Sequence, residues 1–162
     1  MSFDRGSIPN FDAGAYRFAV VAARFNEELT NALFDDVLAT LRCAGVSAEN
    51  IKTVRVPGSG EVPHVCNLLA SSGDFDAVVA LGVVIAGETP HHEIIAHSTA
   101  NALQTVALAT QVPVINGIVV TNNKEQAQAR TIGSIRRGVE FAEDALEMAG
   151  LTNSILEEYE SD

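Results

Sequence analysis

Four short runs rich in β-branched residues recur along the chain, each followed by a longer stretch of helical periodicity. They are FAVVAAR (18–24), IKTVRV (51–56), DAVVALGVVI (76–85) and VPVINGIVV (112–120). After the first run, Leu29, Leu33, Val37 and Leu41 repeat every four residues, widened by Ala32, Phe34 and Leu38. That spacing predicts an amphipathic helix over 27–44, ended by Gly45. Further helices are expected over 61–72, 90–110, 124–131 and 134–149, the last with Ile135, Val139, Ala142 and Leu146 in register. The third run is apolar almost throughout, as expected of a strand covered on both faces. Alternation of this kind implies parallel strands joined by right-handed crossovers, with helices on both sides of the sheet.

Sheets of this class bind ligands beyond the carboxyl ends of their strands. The strand-to-helix junctions RFNEE, PGSGEVP, AGETPHH and TNNKEQ are therefore the places to look for chemistry. In AGETPHH, Thr89 reads as an N-cap and Pro90 as the first helical residue, with Gly87 turning the chain. Free amides of such a first turn stabilise an anion such as phosphate; a well-capped helix start accounts for the same residues. His91 and His92 are adjacent, point roughly 100° apart on a helix, and lack a ligand at helical spacing, so no metal is expected. A first-turn histidine beside an anion site suits proton transfer near neutral pH; an exposed structural histidine is the alternative. PGSGEVP is not a phosphate loop of the G-x-x-x-x-G-K-[ST] type. It offers backbone groups and the Glu61 carboxylate to a polar heterocycle, as Phe25 and Asn26 offer a ring and an amide.

The formal net charge of −11 argues against a nucleic-acid surface, which needs a basic face. Three of ten basic residues, Arg130, Arg136 and Arg137, fall close together and read either as an anion site or as a solvated helix start. No apolar stretch reaches membrane-spanning length, and the N-terminus lacks a basic region followed by an apolar one. Cys43 and Cys66 are too few for a disulfide framework. A reduced, cytoplasmic setting is expected.

Taken together, RFNEELT, VPGSGEVP, ALGVVIAGETPHHE, VPVINGIVVT and EQAQAR followed by RRG resemble the 6,7-dimethyl-8-ribityllumazine synthase family of riboflavin biosynthesis. The matching pieces span 24–138. The resemblance implies a flavodoxin-like, three-layer αβα fold with a central four-stranded parallel sheet. It also implies a homopentamer, twelve of which close into a 60-subunit shell in some assemblies, with active sites between neighbouring subunits. It implies condensation of 5-amino-6-ribitylaminouracil with 3,4-dihydroxy-2-butanone 4-phosphate, releasing phosphate and water, without metal or organic cofactor. By the same resemblance, His91 is the general acid/base. Backbone groups of Glu88 and Thr89 hold the phosphate, with Arg130 supplied by the adjacent subunit. Phe25 stacks on the pyrimidine, with Asn26 at the same junction. Ser59, Gly60, Glu61, Val83, Val84 and Ile85 bind the uracil and ribityl portions, and Arg137 stands where the family has a lysine.

Three departures stand out. Gly60 replaces an aromatic residue, Asn116 replaces a phenylalanine at the pocket, and RTIGSIRRG is about one residue short. These departures raise an alternative from another class, a catalytically weakened homologue acting as a flavin- or pterin-binding shell protein. The expected organisation is an N-terminal arm (1–16), the synthase domain (17–151) and an acidic, loosely held tail (152–162).

Overall fold

The four apolar runs form strands β1 (Phe18–Ala23), β2 (Ile51–Val56), β3 (Ala77–Ile85) and β4 (Val114–Thr121) of one parallel sheet, ordered β2-β1-β3-β4. This is seen in a computed structural model that describes residues 12–161 of the chain. Most of the expected N-terminal arm, Pro9 included, lies outside the described residues. Between and after the strands come α1 (Glu27–Cys43), α2 (Val62–Ala70), α3 (His91–Thr110), α4 (Lys124–Thr131) and α5 (Arg137–Glu160).

Strand alternation divides the core into two layers. Phe18, Val20 and Ala22 of β1, with Val79, Leu81 and Val83 of β3, pack against Leu33, Val37 and Leu41 of α1 and Phe141 and Ala145 of α5. Ala19, Val21 and Ala23, with Val78 and Ala80, face Val62 and Cys66 of α2 and Leu103 and Val106 of α3. Helices thus cover both faces, giving the three-layer, flavodoxin-like arrangement. Central β1 and β3 read as continuous apolar runs because neither has a solvent face. α1 and α5 approach closely at Gly138, where a Cβ would stand 2.7 Å from the Leu33 carbonyl oxygen.

Three element boundaries that bear on the fold differ from the sequence reading. α3 begins at His91 with Pro90 as its cap residue, so Thr89 lies one step outside the helix and its side chain does not cap it. α5 starts only at Arg137, after Arg136 adopts a left-handed backbone (φ 49°). The Arg136 guanidinium binds Asp36 of α1 in a two-pronged contact, donating from Nε to Oδ2 at 2.7 Å and from Nη2 to Oδ1, which fixes the turn. α5 then continues to Glu160, across the expected boundary at 151/152. Nothing in LTNSILEEYE breaks a helix, and Asn153 Nδ2 ties it to Asp76 Oδ1 at 3.0 Å.

Cys66 is fully buried on the sheet-facing side of α2, and burial pushes its thiol from the ordinary 9.0 up to about 12. The folded protein therefore holds the proton more tightly than the unfolded chain. Its contribution to stability is complete below pH 9 and is lost as pH rises from 9 towards 12. Titrating the native protein with a thiol reagent at pH 8 is expected to modify exposed Cys43 quickly and Cys66 only on unfolding. Equal rates would mean that the layer over Cys66 opens readily.

Candidate active site

β3 outruns its neighbour. Pairing between β1 and β3 ends at Ala22 and Leu81, whereas β3 continues alongside β4 to Ile85 opposite Thr121. Residues 83–85 consequently have a strand on one side only. Asn26, in a left-handed backbone (φ 54°) that turns the chain into α1, caps part of that open edge by donating from Nδ2 to the Val83 carbonyl at 2.8 Å. By strand alternation, the Ile85 N–H and C=O face the same side as the Val83 carbonyl, two residues further out. They provide a donor and an acceptor beside a void, the pairing a planar heterocycle with an amide edge can use.

The first two junctions are drawn to the same place. Arg24 N–H donates to the Val56 carbonyl at 2.8 Å and Phe25 N–H to the Pro57 carbonyl at 3.2 Å, extending the β1–β2 pairing beyond both strands. Phe25 is left 71% exposed, an apolar ring with no protein covering it. The loop 57–61 folds into a short 3₁₀ turn over Ser59–Glu61. Ser59 is buried against β3 at Gly82, where a Cβ would come within 2.4 Å of Ser59 Oγ. Gly82→Val is accordingly expected to displace this loop and weaken binding of a heterocycle in the adjoining groove about tenfold or more. A binding titration giving unchanged affinity would show that Ser59 need not sit over the strand.

The result is an open groove of about 470 Å³, lined by Phe25, Asn26, Gly58, Ser59, Gly60, Glu61, Val83, Val84, Ile85, Gly87, Thr89, His91, His92 and Ile95. Three junctions, RFNEE, PGSGEVP and AGETPHH, meet there. Of the residues expected from the sequence, Phe25, Asn26, Ser59, Gly60, Glu61, Val83, Val84, Ile85, Thr89 and His91 line it. Glu88, Asn116, Arg130 and Arg137 do not. Glu88 is exposed on the loop, while Asn116 lies exposed on edge strand β4 opposite Ala80, its Oδ1 accepting from Ile118 N–H at 3.1 Å. Arg130 Nη1 donates to the Gln126 carbonyl at 3.1 Å, and Arg137 Nη1 to Glu140 Oε2 at 2.5 Å.

His92 and Ile95 line the groove as well, though neither is among the site residues expected from the sequence. His92 Nδ1 lies 3.2 Å from the Thr89 carbonyl oxygen, so its N–H donates there and holds the end of the Gly87–Pro90 turn. Its Nε2 is 4.0 Å from Glu93 Oε1. Ile95 follows His91 by four residues, hence on the same side of α3; that spacing was the available signal. Among the described residues, no cluster of three His, Cys, Asp or Glu side chains is placed to hold a metal ion.

The groove therefore sets an aromatic ring and an open strand edge on one side against a histidine-bearing helix start on the other. Such a site can hold a flat polar heterocycle and exchange protons with it. Comparison with known proteins points the same way. The profile of the family described as 6,7-dimethyl-8-ribityllumazine synthase matches residues 15–153. A 6,7-dimethyl-8-ribityllumazine synthase of Polaromonas sp. is 40% identical over 94% of this chain and 97% of its own. Those of Paraburkholderia phymatum (41%, over 88% and 81%) and Ralstonia pickettii (40%, over 94% and 90%) are similar to it as well.

Proposed function

The chain belongs to the 6,7-dimethyl-8-ribityllumazine synthase family, and from that premise we propose how its own residues carry out the family's reaction. It is an enzyme, a transferase of riboflavin biosynthesis. It joins 5-amino-6-ribitylaminouracil to 3,4-dihydroxy-2-butanone 4-phosphate, releasing phosphate and water to leave the lumazine.

The observation that carries the residue-level reading is the convergence of Phe25, the unpaired end of β3 and His91 on one groove. The uracil stacks on the Phe25 ring, and its amide edge meets the Ile85 backbone and the Glu61 carboxylate. The phosphate lies at the start of α3, where the first-turn amides and the helix dipole favour an anion. His91 stands between the two. The amine of the uracil and the ketone of the phosphate ester first form an imine with loss of water. A proton is then removed as the C–O bond to phosphate breaks, and the ribitylamino nitrogen closes the second ring with loss of another water. Each step moves a proton at or near His91, and holding both partners in contact supplies much of the remaining acceleration.

Arg130 and Asn116 lie outside the groove of their own chain, and they serve the groove of a neighbour in a ring of subunits. The exposed apolar residues Phe25, Ile94, Leu108, Val120, Ile132 and Ile135 fit burial in such a ring, taken here as a pentamer. Among the described residues no helix is long and apolar enough to cross a membrane, and both cysteines are free. The cytoplasm is the compartment proposed.

Incubating the purified protein with both substrates is expected to yield lumazine fluorescence and an equal amount of inorganic phosphate. Absence of both at high enzyme concentration would overturn the assignment and favour a binding protein that has lost turnover.

A further inference from the structure

We infer that Thr30 is a positioning residue for the heterocycle site: from inside α1, its hydroxyl fixes the backbone that aims the Phe25 ring into the groove. The inference rests on the reading of the groove as the heterocycle site, and it concerns affinity for that partner rather than proton transfer.

The Phe25 ring is 71% exposed, so packing does little to orient it. Its direction is set instead by the two peptide planes that flank its Cα. The plane on the amino side is tied to the second junction, where Phe25 N–H donates to the Pro57 carbonyl at 3.2 Å. The plane on the carboxyl side is tied to α1, where Thr30 Oγ1 donates to the Phe25 carbonyl at 3.0 Å. Asn26 comes next in a left-handed backbone (φ 54°), a conformation that costs an L residue energy and persists only where neighbours hold it. Its side chain is anchored on the Val83 carbonyl, and its own carbonyl accepts from Leu29 and Thr30 N–H at 3.1 and 3.0 Å. Thr30 therefore grips the junction twice, by its backbone at Asn26 and by its hydroxyl at Phe25.

The hydroxyl bond departs from the usual habit of a helical threonine. Thr99, Thr105, Thr110 and Thr131 each donate to the carbonyl four residues back, within their own helix, the common local pattern. Thr30 reaches back five residues, past the start of α1, to the residue that carries the exposed ring. It is also fully buried, so its hydroxyl depends on a protein acceptor, and the Phe25 carbonyl supplies it. Valine has nearly the same shape without the donor. Thr30→Val thus frees the plane behind Phe25 while leaving the side-chain volume in α1 filled.

Fluorescence titration of the full chain with 6,7-dimethyl-8-ribityllumazine reads affinity at the groove, and steady-state kinetics separates KM from kcat. Thr30→Val is expected to weaken lumazine, and to raise KM for the ribitylaminouracil, about three- to tenfold, the worth of a well-placed aromatic stack. Both kcat and KM for the butanone phosphate should change less than about twofold. Thr30→Ser keeps the donor and should restore lumazine binding. In a Phe25→Ala background, Thr30→Val should cost no further affinity, because an absent ring cannot be misaimed. Thr30→Ala is the second donor-less variant should Thr30→Val fail to fold, which thermal melts identify. Wild-type affinity in whichever donor-less variant folds, a loss that serine does not restore, or full additivity with Phe25→Ala would overturn the inference. So would loss of folding in both donor-less variants, or a wild type that binds no lumazine. A wild type that forms lumazine, with Thr30→Val binding it equally tightly, would sink this inference and leave the enzymatic assignment standing. Lumazine binding that depends on the Thr30 hydroxyl in a protein without turnover would do the reverse.

Discussion

Replacing His91 by alanine is expected to lower kcat by roughly 10- to 10⁴-fold, the span that a positioned general acid/base covers when water can or cannot substitute for it. The reaction requires a proton at the ketone oxygen, removal of another during phosphate loss, and further transfers as the ring closes. His91 is the residue that lines the groove on α3, has no hydrogen-bond partner among those described, and follows directly on the turn proposed to hold phosphate. KM for either substrate should change little, because the ring's main task is in the transition state. His92 lines the same groove but spends Nδ1 on the Thr89 carbonyl. Its replacement by alanine should cost far less in kcat, and what it does cost should come through a looser Gly87–Pro90 turn. Steady-state kinetics of the two variants side by side decides the matter. Equal losses in kcat would remove His91 from its assigned role.

The second large effect concerns Arg130. A guanidinium contributes about 1.5–3 kcal/mol through hydrogen bonds to a charged partner, so Arg130→Ala should raise KM for the butanone phosphate roughly 10- to 150-fold. KM for the ribitylaminouracil should stay nearly constant, since the proposed contact is with phosphate alone. Arg130→Lys should recover part of the loss, as a point charge without the planar fork. In the isolated chain the Arg130 head group donates back to Gln126 of its own helix, a contact that a neighbour's phosphate would have to outcompete. If Arg130→Ala raised KM for both substrates equally, the side chain would be shaping the subunit contact rather than touching phosphate.

Much of this architecture was legible because the chain's signals agree with one another. The apolar runs of β1 and β3 are uninterrupted where both faces are covered, and the four-residue stripe of α1 points at Phe18, Val20 and Ala22 as its period requires. Three of the four junctions meet in one groove, as parallel topology demands. Local reading failed where neighbouring residues compete for one role. Thr-Pro reads as cap and first residue, yet α3 begins after Pro90, and the Thr89 carbonyl is instead held by the His92 ring. An acidic end reads as a loose tail, yet α5 runs on to Glu160, since nothing in LTNSILEEYE breaks a helix and Asn153 reaches Asp76. The divergence of adjacent helical residues speaks against a metal shared by His91 and His92, but it does not keep His92 out of the groove. At a helix start beside a groove, divergence of that size still leaves both rings on its wall. Asn116 is expected at the pocket yet lies outside this chain's groove, since nothing local tells that β4 is an edge strand on which this residue is exposed.

A groove completed by a neighbouring subunit is the central claim, and coexpression of two impaired variants tests it directly. His91→Ala chains keep Arg130, and Arg130→Ala chains keep His91. In a mixed ring at equal proportions, roughly a quarter of the interfaces join an intact groove to an intact arginine. Lumazine formation at subsaturating butanone phosphate is therefore predicted to recover to roughly a quarter of the wild-type rate, well above the average of the two variants alone. A mixed preparation no more active than that average would contradict the shared site and return Arg130 to a structural role.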